Sequence, residues 1–195
     1  SPRVGIAARR PRIVLVGGGF AGIACGRTLR RLLPGTVAEI VLFDRQNHAV
    51  FHPLLAEVAS GALRPTDVAA SLRQLLHGVE CRTEPVVRVD LERRFVEYES
   101  DDGHLRQLSY DQVVIAAGGT ADPSIVPGMA EHGLPLRTIG DALAIQAHVM
   151  EMLERAEVCG DARRRAAYCS FVVVGGGFSG IEMAGELHDL VVRSL

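Results

Sequence analysis

No stretch of this chain approaches the run of about 20 apolar residues that a membrane-crossing helix needs. The longest apolar runs are both cut by glycines. Cysteine is sparse and scattered: Cys25, Cys81, Cys159 and Cys169 show no CxxC and no metal-ligand spacing. That argues against a local dithiol or a zinc knuckle, and leaves reduced thiols in a cytosolic protein as the expectation. Strong net charge is also missing. A formal charge of −2 over 195 residues gives no general attraction to nucleic acid or anionic lipid. The basic opening SPRVGIAARRPR is followed by no long apolar run, which argues against a secretory signal. Residues 1–11 are therefore expected to be a solvated basic tail. What the chain does have is a 48 % hydrophobic composition, enough for a sizeable core and too much for a disordered chain.

Glycine is the informative residue. RIVLV (Arg12 to Val16) is a β-branched run suited to a strand buried on both faces. Gly17, Gly19 and Gly22 follow in G-x-G-x-x-G spacing, and a helical pattern runs from Phe20 to Leu33 until Pro34 and Gly35 stop it. EIVLF (Glu39 to Phe43) is a second strand, closed by Asp44. Strand, glycine turn, helix, strand and acid make one βαβ unit of the dinucleotide-binding type. Gly17 allows the tight turn, Gly19 leaves room for a pyrophosphate, and Gly22 lets helix and sheet pack closely. The helix start offers N–H groups and the positive dipole end to phosphates. Asp44 lies somewhat beyond the usual acid position, and it is assigned to the adenosine ribose hydroxyls. Its alternative is a solvated carboxylate at a strand end.

The middle of the chain reads less sharply. Pro53 suits the first turn of a short helix that Gly61 ends, and Thr66 to Leu76 reads as another helix with Thr66 as its N-cap. Val86 to Glu99 alternates like an antiparallel hairpin, and Tyr110 to Gly119 is a strand running into a glycine turn. Ala121 to Pro135 is a connection, Asp141 to Val158 a long amphipathic helix, and Cys159 to Ser170 a charged loop at a domain boundary. Then the opening pattern returns. The run FVVV is followed by Gly175, Gly177 and Gly180 in the same spacing. Two such turns point to two dinucleotides, a flavin on the first and a nicotinamide on the second. The expected fold is α/β: a Rossmann-like FAD/NAD(P)-binding domain in three layers, with a parallel sheet and an inserted antiparallel hairpin. The expected division is tail 1–11, FAD-binding domain 12–158, linker 159–170 and the start of a truncated NAD(P)H-binding domain 171–195.

Three stretches carry a family resemblance: VGGGFAGIACGRTL, HAVFHPLLAEVASGAL and VVVGGGFSGIEMAGEL. They resemble the two-dinucleotide-binding flavoproteins of the pyridine nucleotide–disulfide oxidoreductase superfamily, and within it the type II NADH dehydrogenases, single-subunit NADH:quinone oxidoreductases. The resemblance implies FAD and NADH as cofactors and a quinone as acceptor. It implies that Gly17, Gly18, Gly19, Phe20, Ala21 and Gly22 cradle the FAD pyrophosphate, with Asp44 and Arg45 by the ribose. Val86 would touch the adenine through its backbone, and Ala117 and Gly118 would lie beside the flavin. Phe51, His52, Pro53 and Leu54 would lie near the isoalloxazine. The family often has glutamine where His52 stands, so His52 is read either as a packed polar residue or as a titratable group near the flavin. Gly175, Gly177 and Gly180 would hold NADH. Glu182 would lie where nicotinamide, flavin and quinone meet, as a proton-handling residue, although a first-turn carboxylate is also favoured by the helix dipole alone.

The neighbouring chemistries are separable in part. FHPLLAEVASGAL contains no cysteine, which excludes a disulfide reductase, and Cys159 by itself is a weak candidate for sulfide oxidation. A ferredoxin or rubredoxin reductase, a sulfide:quinone oxidoreductase, and a flavin module without turnover stay open as alternatives. The second site lacks its following strand and acid, so a fragment of an enzyme about twice as long is expected. The complete enzyme is expected at the cytoplasmic membrane face, touching the membrane peripherally, with a homodimer formed through the apolar last helix. For the chain by itself the expectation is weak or absent FAD and no NADH oxidation.

Overall fold

A computed structural model describes residues 9–120 and 122–194. The chain runs β1 (Arg12–Val16), α1 (Phe20–Leu32), β2 (Glu39–Phe43), β3 (His48–Val50), a 3-10 turn (His52–Leu54), α2 (Leu55–Ala59), α3 (Pro65–Val68), β4 (Ala69–Ser71) and α4 (Leu72–Leu75). It continues through β5 (Glu80–Arg82), β6 (Val86–Asp90), β7 (Phe95–Glu99), β8 (Leu105–Ser109) and β9 (Gln112–Ile115). After a 3-10 turn (Pro123–Ile125) come α5 (Met129–His132), α6 (Ile139–Glu157), α7 (Ala162–Tyr168) and α8 (Phe178–Ser194). The expected α/β class is what is found. Two compact units result: one holds the chain up to Ala49 and Ala70–Thr120, the other Val50–Ala69 and the chain from residue 121 onward.

The first unit is built on a four-stranded parallel sheet in the order β5-β2-β1-β9. β1 is central, paired with β2 from Arg12↔Glu39 to Val16↔Phe43 and with β9 from Ile13↔Gln112 to Val16↔Ile115. A central parallel strand must be apolar on both faces, and Val14 and Leu15 are fully buried. Leu15, Ile40 and Leu42 pack with Leu72, Leu76 and Val79 on one side. Val14, Val41 and Phe43 pack with Val96, Tyr98 and Tyr110 on the other. The second cluster belongs to an antiparallel insert. The hairpin expected over Val86 to Glu99 is there as β6 and β7, but β8 adds a third strand, in the order β6-β7-β8. β8 (LRQLS) is mostly exposed and lacks the alternation that marked the other two.

The helix expected from Thr66 to Leu76 is broken. α3 ends at Val68, β4 intervenes, and α4 begins at Leu72. β4 pairs with β3, so the backbone follows a strand partner rather than the local helical period. The Val68 carbonyl accepts from the Phe51 N–H at 2.8 Å, and the Leu72 N–H donates to the Asn47 carbonyl at 2.9 Å.

The second unit is helical. Its core joins Leu55, Val58 and Ala59 of α2 to Ala142, Ile145, Val149 and Leu153 of α6 and Met183 and Leu190 of α8. α6 starts with a capping box: Thr138 Oγ1 accepts from the Asp141 N–H at 3.0 Å, and the Asp141 carboxylate accepts from the Thr138 N–H at 2.8 Å. The charged loop expected over Cys159 to Ser170 contains α7, because Asp161 caps the N–H groups of Arg163 and Arg164 at 2.8 and 3.0 Å. The strand expected at FVVV does not form. Phe171 packs on the helical core, while Val172 and Val174 are 87 % and 52 % exposed and pair with no strand among the described residues.

Of the basic tail, residues 1–8 lie outside the described residues. Arg9 is in an ion pair with Asp111 at 2.9 Å. No helix among the described residues is long and apolar enough to cross a membrane.

Candidate functional site

The first glycine turn is set by backbone geometry. Gly17 has φ +111°, a region where an L side chain is strained. A Cβ there would also run into the Ala116 carbonyl, and one on Gly22 would fall on the Gly17 carbonyl. Gly18 has a different constraint: its Cβ would sit 2.7 Å from Leu72 Cδ1 and 3.1 Å from Asp44 Oδ2. Gly19, the N-cap of α1, has nothing within 4 Å of where a Cβ would be. Three of the four glycines are thus demanded by the fold, and the fourth leaves open space beside a helix N-terminus. This is the arrangement a pyrophosphate needs. Phe20 and Ala21 open α1 and are exposed.

Asp44 stands beside this turn. Its Oδ2 accepts the Gly18 N–H at 2.5 Å and its Oδ1 the Gln46 N–H at 2.8 Å. Its own N–H donates to the Arg82 carbonyl at 3.0 Å. Arg45 follows it, exposed. Ala117 is at the turn as well: its backbone nitrogen is 2.9 Å from where a Gly17 Cβ would be. Gly118 has φ +69°, with open space around it. Val86, half-buried at the start of β6, belongs to the cluster that contains Phe43, the residue before Asp44. Within the first unit, the residues assigned to the flavin adenine end therefore converge.

His52, Pro53 and Leu54 belong to the second unit and form the 3-10 turn that leads into α2. His52 and Pro53 are exposed and Leu54 is half-buried. The second glycine turn lies in the same unit. Gly175 has φ +115°, a Cβ on Gly180 would fall on the Gly175 carbonyl, and Gly177 has open space. α8 then starts at Phe178. Glu182 is exposed one turn into α8, and Glu186 is half-buried and accepts a hydrogen bond from Ser60 Oγ.

Sequence reasoning missed Arg82, Leu72 and Ser60. Arg82 lies 5.6 Å from the ring centres of both Phe43 and Tyr98, which are themselves 5.1 Å apart. Burial works against its charge, yet hydrogen bonds to Glu80 and Tyr98 hold its pKa above the ordinary arginine value. No local pattern marks these residues, because each matters through a partner remote in sequence. The four cysteines are free, and no His/Cys/Asp/Glu cluster suited to a metal occurs among the described residues. A shallow cleft of about 470 Å³ in the second unit is lined by Arg155, Cys159, Arg164 and Tyr168, includes no residue of either glycine turn and has no part in the nucleotide assignment.

The family profile described as pyridine nucleotide-disulphide oxidoreductase matches residues 11–194. The chain belongs to this family. Among the family's proteins, it is 33 % identical over 190 residues to a type II NADH:quinone oxidoreductase of Mycobacterium tuberculosis, a match that covers 96 % of this chain and 40 % of that protein. It is 33 % identical over 184 residues to a demethylphylloquinone reductase of Synechocystis, covering 92 % of this chain and 43 % of that protein. The fold matches NDH2 from Plasmodium falciparum, solved in complex with NADH, with a TM-score of 0.83 and 23 % identity, over 95 % of this chain and 38 % of that one. The chain spans about two fifths of the length of these relatives.

Proposed function

We propose that this chain provides the FAD-binding region and the opening turn of the nicotinamide site of an NADH:quinone oxidoreductase. The observation that carries the reading is the pair of glycine turns. Both use a positive-φ first glycine, a last glycine closed by a carbonyl, and an open middle position ahead of a helix start. Family membership and the quinone-linked relatives support the same reading.

The residues present fit FAD. The open space at Gly19 and the α1 N-terminus suit a pyrophosphate, and the Asp44 carboxylate beside Gly18 suits a ribose hydroxyl. Ala117 and Gly118 leave the backbone accessible next to the turn. FAD, when bound, supplies a ring that takes a hydride from NADH and passes electrons on to a quinone. The protein's part is to hold the nucleotides by their phosphates, orient the rings and exclude water. Gly175, Gly177 and Gly180 are assigned to NADH, and His52, Pro53 and Leu54 to the flavin ring. Glu182 is assigned to proton exchange with the quinone side. Attachment to the cytoplasmic membrane face, and self-association through the exposed Phe178 and Ile181, belong to the same proposal.

The test is a visible spectrum with FAD, followed by anaerobic NADH. A protein with the length of the relatives should show bound flavin that NADH bleaches, and Glu182→Gln should change the pH dependence of its turnover. This chain by itself should not oxidise NADH. Measurable turnover by it, or a Glu182→Gln profile identical to wild type, would overturn the corresponding assignment.

A further inference from the structure

α8 carries Glu182 and Glu186 one turn apart, on the same face of the helix. Glu182 is exposed and its carboxylate makes no hydrogen bond among the described residues, whereas Glu186 is tied down. Its partner is Ser60, the C-cap of α2, which is only 3 % exposed. The single Ser60 hydroxyl proton has two acceptors in reach, the Glu186 carboxylate Oε2 and the Glu57 carbonyl at 3.1 Å, and the charged carboxylate is the stronger of the two. The hydroxyl oxygen accepts the Ala62 N–H at 3.3 Å, and the Ser60 carbonyl accepts from Arg193 Nη2 at 3.4 Å. α8 is therefore gripped at two points of its polar side by one buried residue, while Met183 and Leu190 seat its apolar side in the core. Apolar packing alone is non-directional and tolerates rotation and sliding; a directional hydrogen bond to a buried hydroxyl restricts both.

We propose that Ser60 and Glu186 form a latch that positions Glu182. The latch fixes the rotation of α8, so that the carboxylate one turn ahead stands at a defined place beside the second glycine turn. Ser60 and Glu186 are positioning residues and touch no reacting atom. This inference rests on the assignment of Glu182 made above. It also links α2, which follows the segment assigned to the flavin ring, to the helix that follows the segment assigned to NADH.

The test uses Ser60→Ala, Ser60→Thr, Glu186→Gln and Glu182→Gln. The first readout is the carboxyl carbon signal of Glu182, assigned by its loss in Glu182→Gln and followed by NMR in the chain without flavin. Ser60→Ala should move that signal, and Ser60→Thr, which keeps the hydroxyl, should restore it. Glu186→Gln, which keeps an acceptor but not the charge, should fall between them. The second readout is turnover in a flavin-loaded protein with the length of the relatives, carrying the same substitutions. Ser60→Ala should lower kcat by about 10-fold to 100-fold with little change in the KM for NADH, as expected for a misplaced group. A Ser60→Ala protein that melts earlier but keeps the Glu182 signal and kcat would show a merely structural contact and overturn the latch. Glu182→Gln separates the two claims. If it turns over like wild type, the Glu182 assignment fails, and the latch has nothing to position. If it is impaired while Ser60→Ala is not, only the latch fails.

Discussion

The two glycine turns are alike in themselves and different in their surroundings. Gly17 and Gly175 have φ of +111° and +115°, and Gly22 and Gly180 are each closed by the carbonyl of the first glycine. Yet the first turn follows a strand held on both sides in a parallel sheet, and the second follows a run that pairs with no strand among the described residues. The turn is thus a local property of glycine spacing and of the helix that begins inside it. The strand before it is not local, because strands exist through their partners.

Alanine substitutions break this comparison most strongly at its first position. Gly17→Ala meets two penalties: the strained φ, and a Cβ driven into the carbonyl of Ala116, the residue just after β9. Strain of about 1–3 kcal/mol and overpacking of a similar size should destabilise the first unit by about 2–6 kcal/mol. Gly175→Ala meets the φ penalty alone, since nothing lies within 4 Å of its Cβ. It should cost only that strain, about 1–3 kcal/mol. Urea unfolding of the two variants measures the difference, and equal costs would mean that the sheet adds nothing to the first turn. Gly22→Ala and Gly180→Ala should instead cost about the same as each other, roughly 1–3 kcal/mol, because the clash is internal to each turn.

Acid should separate the turns in a different way. Asp111 accepts the Arg12 N–H at 2.6 Å and pairs with Arg9, tying the start of β1 to the residue before β9. The Arg12 backbone hydrogen bond, with the charges of Arg9 and Arg12, lowers the Asp111 pKa below the ordinary aspartate value. A lowered folded-state pKa contributes stability that is present above the unfolded value and lost as pH falls through the folded one. Asp111→Asn should therefore flatten the acid limb of the first unit's stability and leave the second unit unchanged. Thermal melts at pH values from neutral down through the aspartate range check this. The smallest effect on folding belongs to Gly19→Ala and Gly177→Ala, both with open space at Cβ. These should change stability by less than about 1 kcal/mol, the usual helix-start and glycine-to-alanine range, while weakening nucleotide binding.

What was legible in the sequence follows the same division between local and remote causes. β1, the turn, α1, β2 and Asp44 stand where the pattern put them, because the glycines, Pro34 and the β-branched runs act over a few residues. So does the burial of β1 on both faces, at Val14 and Leu15. The break at β4, the third strand β8 and the absence of a strand at FVVV were not legible. Each depends on which other segment is available for pairing. At the site, the glycines and Asp44 were readable, whereas Leu72 behind Gly18, Arg82 beneath Asp44 and Ser60 behind Glu186 were not. Their roles come from contacts 54, 38 and 126 positions away in the chain (Leu72 to Gly18, Arg82 to Asp44, Ser60 to Glu186).

The most direct test of the account is a backbone amide NMR titration of this chain, with FAD and NADH added separately at concentrations high enough to register weak binding. The account predicts that FAD moves the amides of Gly17 to Gly22 and Asp44 and leaves Gly175 to Gly180 in place, while NADH does the reverse. FAD that moves the second turn and not the first, or moves both turns alike, would contradict it.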